Sequence, residues 1–227
     1  RYPAFLGVKQ LFEVVHALGV VIEQLECDAQ RIARMHLSQI ADMNLGGEGG
    51  EALLHIFHAA AEQLEHLVDR PIEKLVYASS SSVYGDLVQI PMTEDALPQP
   101  VSPYGVTKLA AEQLCYLYSV NHGVPAVSLR YFTVYGPRQR PDMGFHKFLR
   151  ATILGEPLTL FGDGEQTRDF TFVANAVDAN LLACTAPVSQ VGGRVFNVAS
   201  GRRFTLNETY KLLQQLTGYG GLPAYGP

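Results

Sequence analysis

Apolar residues recur at helical spacing through the first third of this chain and gather into short, dense runs after residue 70. Ile22, Leu25, Ala29, Ile32, Ala33 and Ile40 share one face of a helix predicted from Glu23 to Asp42, which follows a shorter helical pattern from Val8 to Leu18. A third helix is predicted from Glu51 to Val68. Gly46-Gly47-Glu48-Gly49-Gly50 lies just before it and reads as a flexible linker, since glycine loses most freedom on ordering. Downstream the period changes. Lys74-Leu75-Val76-Tyr77-Ala78-Ser79 has the β-branched and aromatic content of a buried strand and ends in small hydroxyls. Pro98, Pro100 and Pro103 hold the next stretch extended, because each disfavours the helical region for the residue before it. A helix resumes at Ser102 or Pro103 and runs past Lys108, Ala111 and Leu114 to Tyr118. Ala126 to Leu129 is a second apolar strand, closed by Arg130-Tyr131-Phe132 and turned at Gly136-Pro137. A helix near Phe145 and an apolar strand leading to Asn197 complete an α/β pattern.

Composition narrows the class. A length of 227 residues and an apolar fraction of 47% allow one substantial α/β core with a modest second lobe. The net charge of -5, with no long basic cluster, argues against nucleic acid as the main partner. Cys27, Cys115 and Cys184 leave no paired framework and fit buried thiols in a reducing compartment. No run is long and apolar enough for a membrane span and no signal-peptide pattern opens the chain, so the cytoplasm is the expected location. His55, His58 and His66 share the third helix, yet no credible set of metal ligands forms around them, because Glu62 and Glu65 also suit a solvated helix face. No metal is expected.

The chemistry centres on Tyr104-Gly105-Val106-Thr107-Lys108 and the upstream run Ser79-Ser80-Ser81-Ser82. Tyr104 and Lys108 are one helical turn apart and share a face. A phenol with an ordinary pKa near 10 is mostly protonated at neutral pH, and a nearby ammonium favours the phenolate. Tyr104 is therefore a candidate acid and base, and Ser80 a candidate to hold the reacting oxygen at the carboxyl end of its strand. Those residues alone leave a second reading open, in which Lys108 is a solvated helix residue and Tyr104 merely packs.

Five blocks, in order, add a family. They are Tyr77 to Gly85, Pro103 to Lys108, Leu129 to Arg138, Phe161 to Phe170 and Val195 to Ala199. On these, residues 74 to 218 resemble the extended short-chain dehydrogenase/reductase family, in its branch of NAD-dependent nucleotide-sugar epimerases and dehydratases. The resemblance implies a Rossmann-like, mostly parallel sheet, partial or atypical here, in residues 71–135 with 170–200. It implies a small substrate-binding lobe in 136–169 and 201–227, after an atypical or rearranged helical part in 1–70. It makes Tyr104 the acid/base, Lys108 its partner and a ligand of the nicotinamide ribose, and Ser80 the substrate-polarising hydroxyl. The implied coenzyme set is completed by Ser79, Tyr131 and Phe132. The implied substrate set is Ser80, Ser81, Thr133, Arg138, Met143, Phe145 and Arg168, with Arg168 reaching a nucleotide diphosphate. Asp169 and Asn197 have structural counterparts. Arg130, read from its block alone, suits a surface salt bridge.

The serines also bear on the reaction. Relatives that eliminate water resemble one another in carrying an Asp-Glu pair where this chain has Ser81 and Ser82, and neutral serines serve poorly for abstracting a carbon-bound proton. The resemblance thus implies NAD-dependent epimerisation at C4 of a UDP-sugar through a 4-keto intermediate. A dehydratase or other reductase, or an inactive nucleotide-sugar-binding protein, remains the alternative. One part of the pattern is missing: no strand, glycine-rich turn and helix opens the chain, and Glu48 and Glu51 would repel a pyrophosphate at the glycine cluster. A third reading makes the added helices a partner surface. The family further implies a homodimer through a helix bundle that includes the helix after Tyr104.

Overall fold

The structure, a computed structural model, describes residues 20–21, 49–68, 70–86 and 90–226. The helices expected over Val8 to Leu18 and Glu23 to Asp42 lie outside the described residues, as does Cys27. The fold class is as expected, α/β with mostly parallel strands flanked by helices. The chain divides into two compact units, Arg1–Tyr131 with Asp178–Asn197, and Phe132–Val177 with Val198–Pro227.

In the first unit, β1 (Val20–Val21), β2 (Leu75–Ser80), β3 (Ala126–Tyr131) and β7 (Val195–Val198) form one sheet in the order β1-β2-β3-β7. Strands β2 and β3 run parallel, from Leu75 opposite Ala126 to Ser80 opposite Tyr131. A parallel strand covered on both faces reads as a nearly continuous apolar run, and the first three residues of β2, Leu75, Val76 and Tyr77, are buried before the pattern alternates at Ala78. Between β2 and β3 the chain makes a one-turn 3-10 helix, Ser81–Tyr84, and then the long helix α2 (Pro103–His122). Ser102 caps α2, its side chain accepting from the Gly105 amide at 3.1 Å, and Pro103 occupies the first turn, where its missing N–H costs nothing. Gly123, in the left-handed region at φ 69°, ends it.

Helix α1 (Gly49–Val68) packs on α2. It begins two residues earlier than the sequence pattern, so Gly49 and Gly50 of the expected linker are helical, while 46–48 lie outside the described residues. Packing of an amphipathic face overrides weak glycine propensity there. The core joins Ala60, Leu64 and Leu67 of α1 to Leu75 and Tyr77 of β2 and to Ala111, Leu114 and Cys115 of α2. Burial pushes the Cys115 thiol up to about 12.

The second unit holds β4 (Thr133–Tyr135), β6 (Thr167–Phe172) and β8 (Arg203–Thr205), with β4 parallel and β8 antiparallel to β6. A parallel pair, β5 (Thr159–Phe161) and β9 (Ala224–Gly226), stands apart from that sheet. Helices α3 (Gly144–Leu154) and α6 (Leu206–Thr217) pack together over β5, burying Phe148, Ala151, Leu160, Tyr210 and Leu213. Thr205 and Glu208 form a reciprocal capping box at the start of α6. Helix α4 (Val173–Thr185) and the short α5 (Val188–Val191) complete the described elements. No helix among the described residues is long and apolar enough to cross a membrane.

Candidate active site

Tyr104 and Lys108 stand on α2 as their spacing predicts, but their surroundings differ sharply. Tyr104 is 47% exposed, whereas Lys108 is 1% exposed. The Lys108 ammonium donates to the Ala78 carbonyl at 2.9 Å and lies 5.6 Å from the centre of the Tyr104 ring and 5.5 Å from that of Tyr77. Lys108 is thus not a solvated helix residue. Burial lowers its pKa from 10.5 to about 7, because a charge removed from water is disfavoured. The ammonium read from sequence as a standing cation is, at neutral pH, a group poised between its two forms.

Ser80 ends β2 half-buried, beside α2 in the first unit. Its Oγ accepts from the Ser82 amide at 3.2 Å and from the Ser82 hydroxyl at 3.0 Å, capping the 3-10 turn. The amide bond fixes Ser80 Oγ as an acceptor, and either of the two paired hydroxyls can supply the proton between them. Ser81 begins that turn, also half-buried. Gly105 explains how closely α2 approaches it. A Cβ at Gly105 would stand 2.6 Å from the Ser82 carbonyl oxygen and 2.9 Å from Pro100 Cβ.

Ser79, expected to touch coenzyme, is buried, and its hydroxyl donates to Glu112 Oε2 at 2.8 Å. Arg130 is equally sequestered, 3% exposed, so the surface salt bridge suggested by its block is corrected to a buried one. Its Nε donates to Glu112 Oε2 at 3.0 Å and its Nη2 to Oε1, a bidentate fork. Nη1 donates to the Tyr84 hydroxyl at 2.8 Å, and Tyr84 donates to Asn197 Oδ1 at 2.7 Å. The Asn197 backbone N–H donates to the Glu94 carboxylate, and its side-chain Nδ2 donates to the Met92 carbonyl. Sequence reasoning missed Glu112 and this network. A signal existed: Glu112 is the single carboxylate of α2, one turn beyond Lys108, and an arginine inside a buried strand requires one.

Tyr131 pairs in register with Ser80 and is half-buried. Burial, partly offset by a side-chain hydrogen bond with Asn180, pushes its phenol up to about 12.

The remaining expected ligand residues belong to the second unit. Phe132 and Thr133 are half-buried at β4, and Thr133 stands opposite Phe170. Arg168 lies two residues before Phe170, hence on the same face of β6, and is exposed, with Nη1 donating to the Thr167 carbonyl at 2.9 Å. Arg138 is exposed with φ at 68°, a left-handed conformation that a non-glycine residue adopts only when its surroundings impose it. Two bonds from Gln139 close that turn: its amide donates to the Gly136 carbonyl at 3.2 Å and Nε2 to the Val134 carbonyl at 3.0 Å. Met143 caps the start of α3 without a side-chain bond. Phe145 stacks within 4.7 Å of Tyr135 and 5.7 Å of Phe170, an aromatic cluster. Asp169 does not orient Arg168; it binds the Ser200 and Gly201 amides at 2.8 and 2.9 Å and so caps a turn.

An exposed phenol and a buried amine with lowered pKa thus stand on α2, and a serine hydroxyl ends the parallel strand β2. Residues 33–199 match the model of the NAD dependent epimerase/dehydratase family, and the chain belongs to that family. It is 40% identical over 164 residues to the uncharacterized UDP-glucose epimerase YtcB of Bacillus subtilis (strain 168), covering 72% of this chain and 51% of that protein. It is 36% identical to the UDP-glucuronate 4-epimerase of Thermodesulfobacterium geofontis (strain OPF15), over 68% of this chain and 47% of that one. The structure superposes with a TM-score of 0.73 on UDP-glucuronic acid 4-epimerase from Bacillus cereus in complex with NAD, at 36% identity, covering 81% of this chain and 60% of that one. The chain spans about half the length of the two sequence relatives.

Proposed function

We propose that the protein of which this chain is part interconverts C4 epimers of a UDP-sugar with NAD as resident coenzyme. The observation that carries this reading is the buried Lys108 amine held against the exposed Tyr104 ring. Within the first unit, the side-chain donors Tyr104, Lys108 and Tyr131 suit the nicotinamide-ribose end of the coenzyme. Bound NAD would supply the hydride acceptor and donor at C4.

Tyr104 takes the proton of the C4 hydroxyl as that carbon is oxidised, and returns it once the keto sugar has turned to present its other face. The protonated form of Lys108 stabilises the phenolate, and its lowered pKa lets it respond to charge at neutral pH. Ser80, at the end of β2, donates a hydrogen bond to the C4 oxygen as its charge changes. Ser81 and Ser82 supply no carboxylate for elimination, which favours epimerisation over dehydration. In the second unit, Arg138 and Arg168 suit a diphosphate, Met143 and Phe145 a nucleoside and Thr133 a sugar hydroxyl, while in the first unit Ser81 suits a sugar hydroxyl. Dimerisation through α2 belongs to the same reading, supported by the exposed Val106, Tyr116, Leu117 and Val120 along that helix.

The test uses the full-length protein with NAD and either UDP-glucose or UDP-glucuronate, following the C4 epimers by NMR. Appearance of the second epimer, abolished by Tyr104→Phe, upholds the reading. Tight UDP binding without NAD binding or turnover would replace it with a nucleotide-sugar-binding role.

A further inference from the structure

Two consecutive residues of β2 are hooked by two side chains one turn apart on α2. Lys108 reaches the Ala78 carbonyl at 2.9 Å, and Glu112 receives the Ser79 hydroxyl at 2.8 Å. Glu112 and Arg130 are 1% and 3% exposed, and their fork ties α2 to β3 as well. Tyr84 extends the tie to the turn that follows Ser80 and to Asn197 on β7, with the Arg130 guanidinium 4.8 Å from the Tyr84 ring centre. Every one of these bonds joins elements around the end of β2 where Ser80 stands.

We propose that Glu112 is a positioning residue: through Ser79 and Arg130 it fixes the end of β2 against α2, and so sets Ser80 in register with Tyr104 and Lys108. A buried ion pair is weak evidence for stability, since apolar residues of like volume often serve as well. Its use here is geometric. The carboxylate accepts from two strands at once, which an apolar contact cannot do directionally. The catalytic part of this inference rests on the epimerase reading; the clamp itself does not.

Glu112→Ala would strand the Arg130 charge and threaten the fold. Ser79→Ala removes one neutral hydroxyl and leaves the ion pair in place. In the full-length protein, Ser79→Ala is expected to lower kcat roughly 10-fold to 100-fold with KM within about twofold, the size of effect that a displacement near 1 Å produces. Ser79→Thr, which keeps the donor, is expected to recover most of the loss. Without any substrate, amide hydrogen exchange at Ser80 to Ser82 should rise at least about tenfold in Ser79→Ala and not in Ser79→Thr. Wild-type kcat in Ser79→Ala, or equal losses in the alanine and threonine variants, overturns the positioning role while active wild type and inactive Tyr104→Phe keep the epimerase reading. Should wild type turn over neither UDP-sugar, that reading fails alone, and unchanged exchange in Ser79→Ala is then the result that removes the clamp.

Discussion

The residues around Tyr104 and those around Arg168 solve opposite problems. In the first unit the side chains are committed before a ligand arrives: Lys108 to Ala78, Ser79 to Glu112, Glu112 to Arg130, Arg130 to Tyr84. In the second, the backbone is fixed by turns and caps while the charged ends of Arg138 and Arg168 stand exposed. On the proposed reading the difference is apt: a reaction needs groups that do not reorganise as charge moves, whereas a diphosphate would bring enough charge to order arginines itself. The contrast teaches where each unit is vulnerable.

Tyr104→Phe tests the committed side most directly. It removes only the phenolic oxygen of a half-exposed residue, so kcat should fall about 10²-fold to 10⁴-fold, measured by epimer formation in the full-length protein, with thermal stability unchanged. Arg130→Met should next cost about 3–5 kcal/mol of unfolding free energy in denaturant titrations, because Glu112 is left buried without its counter-charge. A cost near zero would make the first unit as tolerant as the second.

Lys108 gives a pH signature. Its pKa is lowered on folding, so below about 7 both states are protonated and the fold bears the full cost of the buried charge. Between about 7 and 10.5 the unfolded chain binds more protons than the folded one, and stability rises with pH. Relative to Lys108→Met, which lacks this ionisation, wild type should gain about 1.4 kcal/mol per pH unit across that window, read from paired denaturant titrations. A flat difference would mean that the amine is hydrated. Arg168→Ala is the mildest change: about a tenfold loss of UDP affinity by calorimetry, with no effect on stability, since the group it removes is exposed.

Strands β2, β3 and β7 and helices α2 and α3 were legible because their signals are local, whereas the short strands β4, β5, β6, β8 and β9 and helices α4 to α6 were not read from the sequence. Prolines marked the start of α2, and the dense apolar runs at 74–79 and 126–129 became the parallel pair β2 and β3. Tyr104 and Lys108 came from spacing within one helix. The Glu112–Arg130 pair did not, because it depends on which face α2 turns to the sheet, and that is decided by partners 18 residues apart. The start of α1 was misplaced for the same reason, glycine composition pointing to a linker while packing on α2 made a helix. Arg138 was foreseen as a ligand but not as a backbone outlier, since nothing in Gly136-Pro137-Arg138-Gln139 demands a positive φ at arginine.

Gly105 gives the catalytic motif a requirement that no functional group expresses. The helix that bears the phenol lies so close to the serine turn that no room is left for even one methyl group at this position, so the contact depends on a residue with no side chain. A side chain there would have to push helix and turn apart, altering the spacing of tyrosine, lysine and serine without changing any of the three.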